Sequence, residues 1–418
     1  MKPQFKVVSH NAKVEQNIEA IRDQVSSAET QQDLETVIEK VSNHAGPLDY
    51  QDTLYRVFFG SGLVMVILSI MAMFADDSAG KVWQSPPGSV VIAAYVYLYP
   101  VLALATLGQW LEDKGYGLPV SQSARVRLGC WGVAGALFAF MPNWPQELSY
   151  TMGFSSPVTG LMLSNLVFVI LMFPWLRSRA NWRKPLSDKI FLLDALFNNQ
   201  LKEVPFSRKE KADELYGLFR EFGRGNHLRE VLALYQGRYE GEQHSFDYHL
   251  YKFHYVEKKT ETYTDSDGKT RTRTVKYDYY RYGIYLQFPF AKGVSFQGDG
   301  RIFLRDKTFS GTSNDFNRIY KVSTEDTMDA ARMLSPLLEE ALVKFGEKFS
   351  SPVIEINRYG DMCVASKDKL LVTERVNGLD NPDAFLQEIS GHTELEDLKL
   401  MLDTVHEMMR LCDNNFVN

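Results

Sequence analysis

Four apolar segments in the first half of the chain constrain its fold more than any other feature. Residues 57–75 carry no charge and, at about 1.5 Å of rise per residue, are long enough to cross a hydrocarbon core of roughly 30 Å. Residues 89–111 form a second uncharged run with Pro100, which membrane helices tolerate when neighbours satisfy the freed carbonyl. Residues 128–141 are a shorter third run, and residues 158–176 complete the set. The sequence therefore predicts four membrane-spanning helices.

The last two predicted spans contain small residues at a four-residue spacing, which favours close contact between membrane helices. Trp131, near the start of the third span, and Trp144, just after it, can serve as anchors at the membrane interface. Asn165 lies near the middle of the fourth span and is expected to hydrogen-bond a neighbouring helix. The candidate helix-packing residues are Gly132, Gly135, Ala136, Ala139, Gly160, Ser164 and Asn165.

The distribution of Lys and Arg predicts the orientation, because basic residues near span ends stay in the cytoplasm. Connection 76–88 holds only Lys81, and connection 142–157 holds no basic residue. The other flanks are basic, with Lys114, Arg125 and Arg127 between the second and third spans, and Arg177, Arg179, Arg183 and Lys184 after the fourth. Both termini are therefore expected in the cytoplasm. No charged residue lies inside a predicted span, which weakens a transport interpretation.

Composition excludes some classes of function. The net charge is −6 and the isoelectric point about 5.8, whereas general nucleic-acid binding needs a basic surface, so no nucleic-acid partner is expected. The cysteines are Cys130, Cys363 and Cys412, and they have no CxxC spacing. Neither a disulfide framework nor a structural zinc site is predicted.

The predicted organisation is a cytoplasmic helical region (1–53), the transmembrane domain (54–176), juxtamembrane helices (177–225) and a cytoplasmic α+β domain (226–418). In the first region, apolar residues every three or four positions predict two helices. They could form a hairpin packed on this protein or a coil that binds a partner. The stripe residues are Val14, Ile18, Ile21, Val25 and Ala28, then Leu34, Val37, Ile38 and Val41. The predicted fold class is an α-helical four-span membrane domain plus a mixed α+β cytoplasmic domain with an antiparallel sheet.

Alternating Tyr, Phe, Val and Thr predict strands within residues 231–304, including one at 301–304. A turn at Asp267 and Gly268 would place Tyr255 opposite Tyr280 and Phe253 opposite Tyr282. Further strands are expected at 353–357 and 362–365.

Five helices are predicted around these strands. A helix at 186–201 would lie on the membrane surface or in the core. The others are expected at 209–222, 325–334, 336–349 and from a Thr393–Glu396 capping box onward.

Four segments carry a resemblance to a known family. They are GRYEG (237–241), YGIYLQFP (282–289), FNRIYKVSTEDTMDAARMLSP (316–336) and IEINRYGDMCVA (354–365). Over residues 235–371 the chain resembles an uncharacterised family of bacterial membrane proteins with a cytoplasmic domain, often encoded beside LemA-type proteins. The resemblance implies a bacterial cytoplasmic (inner) membrane and a LemA-like partner, and it supplies no active site.

No motif predicts a catalytic, cofactor or metal site. In a continuous strand His249 would point away from His244 and His254, so the three cannot share a metal. His406 and Glu407 begin an HExxH-like string, but Arg410 stands where the second histidine is needed. Asp265 and Asp267 fit a hairpin turn better than a calcium loop. Neither GxxxxGK[ST] nor GxSxG occurs.

The hairpin around residues 263–276 is basic and aromatic, which suits either anionic lipid or solvated strand edges. The residues expected to contact the membrane surface are Arg177, Arg179, Arg183, Lys184, Lys269, Arg271 and Arg273. The favoured function is a membrane-anchored interaction or regulatory module, without enzymatic activity, that contacts lipids, a homo-oligomer or a protein partner. The alternative is an oligomeric channel or transport component.

Overall fold

The computed structural model describes residues 9–74, 90, 93–116, 123–141, 157–264, 266, 268–300, 306–371 and 375–413. The chain forms two compact units. Unit 1 comprises residues 1–28, 33–189 and 377–386, and unit 2 comprises residues 29–32, 190–376 and 387–418.

Unit 1 begins with the predicted helical hairpin, α1 (His10–Ser26) and α2 (Gln31–Ser42). The Ser9 side chain accepts the Ala12 N–H at 3.0 Å and fixes the start of α1. Most of both apolar stripes is buried, as the periodicity predicts: Val14, Ile18, Ile21 and Val25 on α1, and Leu34, Val37, Ile38 and Val41 on α2. Ala28, the last residue of the first predicted stripe, lies beyond the end of α1 and is half-buried.

Four further helices follow in unit 1: α3 (Thr53–Phe74), α4 (Tyr99–Asp113, after a π-helical turn at Ala94–Leu98), α5 (Ala124–Ala139) and α6 (Pro157–Ala180). Two helical segments, Thr53–Met71 and Ala94–Asp113, are long and apolar enough to cross a membrane. The described residues thus support two of the four predicted spans, and α5, with 16 residues, is shorter than a typical span. Trp144 and the connections at 76–88 and 142–156 lie outside the described residues.

Unit 2 contains an antiparallel sheet, and this mixed α+β architecture agrees with the prediction. The described strands have the order β1-β2-β3-β4-β9-β8-β5-β7-β6. They are β1 (Lys202–Glu203), β2 (Leu228–Tyr239), β3 (Phe246–Thr264), β4 (Thr270–Gln287), β5 (Val294–Gln297), β6 (Lys307–Phe309), β7 (Lys321–Thr324), β8 (Val353–Ile356) and β9 (Asp361–Ser366).

Helices cover both faces of this sheet. On one face, side chains such as Ile284 and Phe296 join a core with Leu342 and Val405 from the helices. On the other, Phe222 packs against Phe253, with ring centroids 5.0 Å apart. The remaining helices are α7 (Arg183–Asn198), α8 (Arg208–Leu218, followed by a 3₁₀ turn at Arg220–Gly223), α9 (Asn314–Ile319), α10 (Thr327–Met333), α11 (Pro336–Lys348), α12 (Pro382–Ile389) and α13 (Glu396–Cys412).

The β3–β4 register differs from the prediction by one residue. Tyr255 lies opposite Tyr279, and Phe253 lies opposite Arg281. The last pair, Thr264 with Thr270, leaves five connecting residues instead of the predicted two-residue turn, and an odd change in loop length shifts the pairing by one.

One predicted helix cap is wrong, and one predicted strand falls outside the described residues. The Thr393 hydroxyl does not cap α13. It donates instead to Asp194 Oδ2 at 2.7 Å, and the N-cap residue is Leu395, without a side-chain cap bond. The strand predicted at 301–304 lies outside the described residues.

Candidate interaction site

Strands β3 and β4 continue beyond the rest of the sheet as a two-stranded ribbon. Pairing of β2 with β3 ends at Val256, and pairing of β9 with β4 begins at Tyr282. Residues 257–264 and 270–280, here called the arm, pair with each other. Most of their side chains are exposed. The arm is the largest extension of strand beyond the sheet in the described part of the chain.

The two faces of the arm have different chemistry. One carries three cross-strand threonine pairs, Thr260–Thr274, Thr262–Thr272 and Thr264–Thr270. On the other face, Arg273 forms an ion pair with Glu261 at 3.0 Å. Glu261 also accepts a hydrogen bond from the Tyr277 hydroxyl, and Tyr279 stacks on Tyr255 with centroids 5.2 Å apart. Cross-strand contacts of this kind stabilise a ribbon that lacks a core.

The hydrogen bonds of Asn226 show which backbone groups of the arm remain outside the β3–β4 ladder. Its side chain accepts the Lys258 N–H at 2.7 Å and donates to the Lys258 carbonyl at 3.1 Å, so Lys258 points toward β2. Because backbone direction alternates along an antiparallel strand, the outward groups of β3 belong to Thr260, Thr262 and Thr264. By the same alternation, those of β4 belong to Thr270, Thr272, Thr274, Lys276, Asp278 and Tyr280. No described strand pairs with either edge of the arm.

The base of the arm is held by polar contacts. His254 lies 2.9 Å from both Glu230 and Asp278, and its ring stacks on Tyr280 at 4.9 Å. These contacts join β2, β3 and β4 at the point where the arm leaves the sheet. The base of the arm is therefore connected to the sheet by side-chain contacts from three strands.

A buried ion network lies beneath this base. Arg281 and Glu221 are each about 1 % exposed, and Arg281 Nε donates to Glu221 Oε1 at 2.6 Å. The second oxygen of Glu221 accepts from Arg224 at 2.6 Å. Arg281 also donates to the carbonyls of Ser351 and Ala365. One carboxylate thus balances two guanidinium groups inside unit 2, and Asp299 adds a second partner for Arg224.

Glu355 is a second buried carboxyl beside this network. It accepts the backbone N–H groups of Arg220 and Glu221 at 2.8 and 3.0 Å. Burial is the largest influence and raises the pKa of Glu355 from 4.5 to about 7, although the two backbone donors oppose the rise.

Glu355 should make unit 2 lose stability as pH rises. The folded state binds the proton more tightly than the unfolded state, so this stabilisation is complete below about pH 4.5 and disappears as pH rises through about 7. The unfolding midpoint of the full chain in detergent should fall between pH 5 and pH 8. In Glu355→Gln, which cannot ionise, the fall should be smaller. Equal pH dependence of the two proteins would contradict this assignment.

A cavity of about 630 Å³ lies at the end of the sheet opposite the arm, within unit 2. His249 lines it and stacks on Tyr285, with centroids 4.7 Å apart. Burial, and then the nearby charge of Lys211, lower the pKa of His249. The Ser245 hydroxyl, also at the cavity, donates to Glu240 at 2.7 Å and not to a histidine. Among the described lining residues, the Ser245 hydroxyl is thus bonded to a carboxylate, and no histidine accepts a hydrogen bond from it.

The histidines are dispersed, as strand geometry predicts. His254 lies between two carboxylates at the arm base, His249 stacks on Tyr285, and His244 contacts Phe290 with centroids 5.1 Å apart. His406 lies 6.3 Å from His244, ring to ring. The described residues contain no group of three His, Cys, Asp or Glu side chains placed to hold a metal. Asp265 and Asp267 lie outside the described residues.

The predicted helix-packing residues differ in their surroundings. A Cβ atom on Gly135 would lie 2.6 Å from the Pro100 carbonyl oxygen, whereas one on Gly132 would meet nothing within 4 Å. Asn165 is fully buried and donates to the Gly62 carbonyl at 2.9 Å, which links α6 to α3. Ala139 is buried, and Ala136 and Ser164 are half-buried. The surroundings of Gly160 lie outside the described residues.

Two arginines predicted to contact the membrane surface are bound within unit 1. Arg179 makes two hydrogen bonds to Asp52, at 2.9 and 3.0 Å, and its guanidinium stacks on Tyr50 at 3.8 Å. Arg183 pairs with Asp49 at 2.8 Å. Arg177 and Lys184 are exposed.

Three basic residues of the β3–β4 hairpin were also predicted to contact the membrane surface. Arg273 is paired with Glu261, Arg271 lies opposite Tyr263, and Lys269 directly precedes β4. The contact of this hairpin with lipid stays a prediction.

Several of these residues were absent from the sequence predictions. Arg281 is one charged residue within an aromatic strand, and Glu221 precedes it by 60 positions. Asn226 gave no signal beyond its place after Gly225, which has φ +75°. No protein-family model, curated protein or solved structure matches the chain, so the resemblance across residues 235–371 also stays a prediction.

Proposed function

We propose that this chain is a membrane-anchored interaction or regulatory module of the bacterial inner membrane, without enzymatic activity, which binds a protein partner through the arm. The main support is the arm, which presents strand edges with outward backbone groups from a base held by contacts among three strands. Extended segments of other proteins commonly bind such edges as an added strand. A LemA-like protein, implied by the sequence resemblance, is one candidate partner.

The membrane anchor in this proposal is the helical part of unit 1. Two of its helical segments are long and apolar enough to span a membrane. The alternation of basic residues between the predicted spans supports four crossings with both termini in the cytoplasm. The arm would then face the cytoplasm.

Shortening the arm tests this function. Residues 258–276 are replaced by Asn-Gly, which closes the Glu257–Tyr277 pair as a two-residue turn. None of the removed residues belongs to either core of unit 2, so the unfolding midpoint should change little. Loss of several backbone hydrogen bonds should reduce recovery of cross-linked partners from native membranes by about tenfold or more.

The control removes charges elsewhere on unit 2. Glu340→Ala with Lys344→Ala deletes an exposed ion pair on α11 and should leave partner recovery unchanged. Unchanged recovery with the shortened arm, in protein that is folded and still in the membrane fraction, would refute the proposed function.

A further inference from the structure

The outer edge of β4 in the arm has a directional sequence. Residues 270–280 read TRTRTVKYDYY, with Val275 at the centre. Arg271 and Arg273 lie before the centre, and Tyr277 and Tyr279 lie after it on the same face. The edge therefore has a cationic half and an aromatic half.

We propose that this edge pairs with the same edge of a second copy of the chain, antiparallel, with a two-fold axis at Val275. The proposal rests on the proposed function, since it uses the arm as the docking element, and it names one partner for it. A two-fold contact of this kind closes on itself and creates a four-stranded ribbon from two arms.

Side-chain chemistry favours this register. With the axis at Val275, Arg273 of each copy faces Tyr277 of the other, and Arg271 faces Tyr279, so cations meet aromatic rings. On the opposite face Thr274 meets Lys276, and Thr272 meets Asp278. No like charges lie directly opposite each other in this register. Like charges in such positions would destabilise the pair of strands.

Two alternative registers would bring like charges together. An axis at Thr272 would set Arg271 against Arg273 twice, and an axis at Lys276 would set that residue against itself. The β3 edge has fewer backbone groups available for pairing, because the N–H and carbonyl of Lys258 already hydrogen-bond the Asn226 side chain. The longer β4 edge, from Thr270 to Tyr280, is the better template.

The backbone geometry fits the same register. The odd-numbered residues of β4 point their backbone groups toward β3, so they form the non-hydrogen-bonded pairs of the new interface, with Cα atoms about 4.5 Å apart. This close spacing brings the two Val275 side chains together. The even-numbered residues supply the intermolecular N–H and carbonyl groups. Tyr279 is already stacked on Tyr255, which lowers the entropy lost on association.

A cysteine at the axis tests the contact. Val275→Cys, in the full-length chain with Cys130→Ser, should form a disulfide-linked dimer in native membranes under mild oxidation, since the expected Cα separation of about 4.5 Å lies within the disulfide range. Lys259→Cys is the matched control, because Lys259 is the cross-strand partner of Val275 on the same face but on the opposite edge. The dimer yield should be at least about fivefold higher for Val275→Cys. Equal yields, or no dimer, would overturn the proposal.

A proline pair tests the backbone contribution. The Thr274 N–H points outward, so Thr274→Pro removes an intermolecular donor without breaking the ladder within the arm. Added to Val275→Cys, it should lower the dimer yield to that of Lys259→Cys. Thr260→Pro, on the cross-strand partner at the other edge, should leave the yield unchanged. The reverse result would overturn the proposal.

The two sets of experiments separate the two proposals. If the shortened arm loses its partners but Val275→Cys gives no dimer, the arm binds a different protein and the self-pairing is refuted. If Val275→Cys gives the dimer and the shortened arm keeps its other partners, the self-pairing stands, and the binding of a different protein through the arm is refuted.

Discussion

Glu221→Ala should destabilise unit 2 by about 3–5 kcal/mol, because it leaves the guanidinium groups of Arg281 and Arg224 without their shared carboxylate. Arg281 is about 1 % exposed and cannot reach bulk water without opening the sheet. Its other partners are carbonyl oxygens, which accept hydrogen bonds but carry no full charge. The loss should therefore exceed that of an ordinary side-chain truncation.

Two buried thiols allow this loss to be measured in the full chain. Cys363 and Cys412 are both fully buried in unit 2, so their labelling rate in detergent, with Cys130→Ser, reports the opening of that unit. Glu407→Ala breaks the exposed pair with Arg410 on α13 and should cost less than about 0.5 kcal/mol. Glu221→Gln keeps the volume and removes the charge. If it behaves like wild type, charge compensation is not what Glu221 contributes.

Local patterns predicted much of the secondary structure. Ser335 and Pro336 indicated the start of α11, and the Ser335 side chain does accept the Leu338 N–H. The hairpin of β8 and β9 follows from short alternating segments on either side of Tyr359 and Gly360, where Gly360 has φ +89°. In these cases all the determining residues lie within a few positions of each other.

Other features were predicted poorly, most of them because they depend on distant residues. The β3–β4 register depends on a five-residue connection, which composition does not specify. Thr393 fits a capping box, but Asp194 competes for its hydroxyl from 199 positions away. From the sequence, Arg179 and Arg183 were predicted to be surface cations, whereas in the structure they pair with Asp52 and Asp49. Their charges were visible in the sequence, and their partners were not.

In the candidate interaction site, too, local composition was predictable and the arrangement set by distant strands was not. The basic and aromatic composition of the hairpin was evident from the sequence. That it projects as a ribbon beyond β2 and β9 was not, because the lengths of those neighbouring strands set where the arm begins. The directional pattern about Val275 becomes meaningful only once that edge is known to be outside the sheet.

Gly135→Ala should destabilise unit 1 by about 1–3 kcal/mol, the usual cost of overpacking. The added Cβ would lie 2.6 Å from both the Pro100 carbonyl oxygen and Val101 Cα, so α4 and α5 must move apart. Backbone atoms cannot relieve the contact by changing a rotamer. In a membrane, where helices associate through close packing, the separation also removes van der Waals contacts along the interface.

Gly132→Ala is the matched control on the same helix. Its Cβ would meet no atom within 4 Å, and alanine favours the helix over glycine by about 1 kcal/mol, so the change should be neutral or stabilising. The two substitutions add the same methyl group three positions apart, and only Gly135→Ala is expected to destabilise the protein. Resistance of the detergent-solubilised protein to thermal aggregation measures both. Equal effects would mean that helix propensity, and not the approach of α5 to α4, determines the role of these glycines.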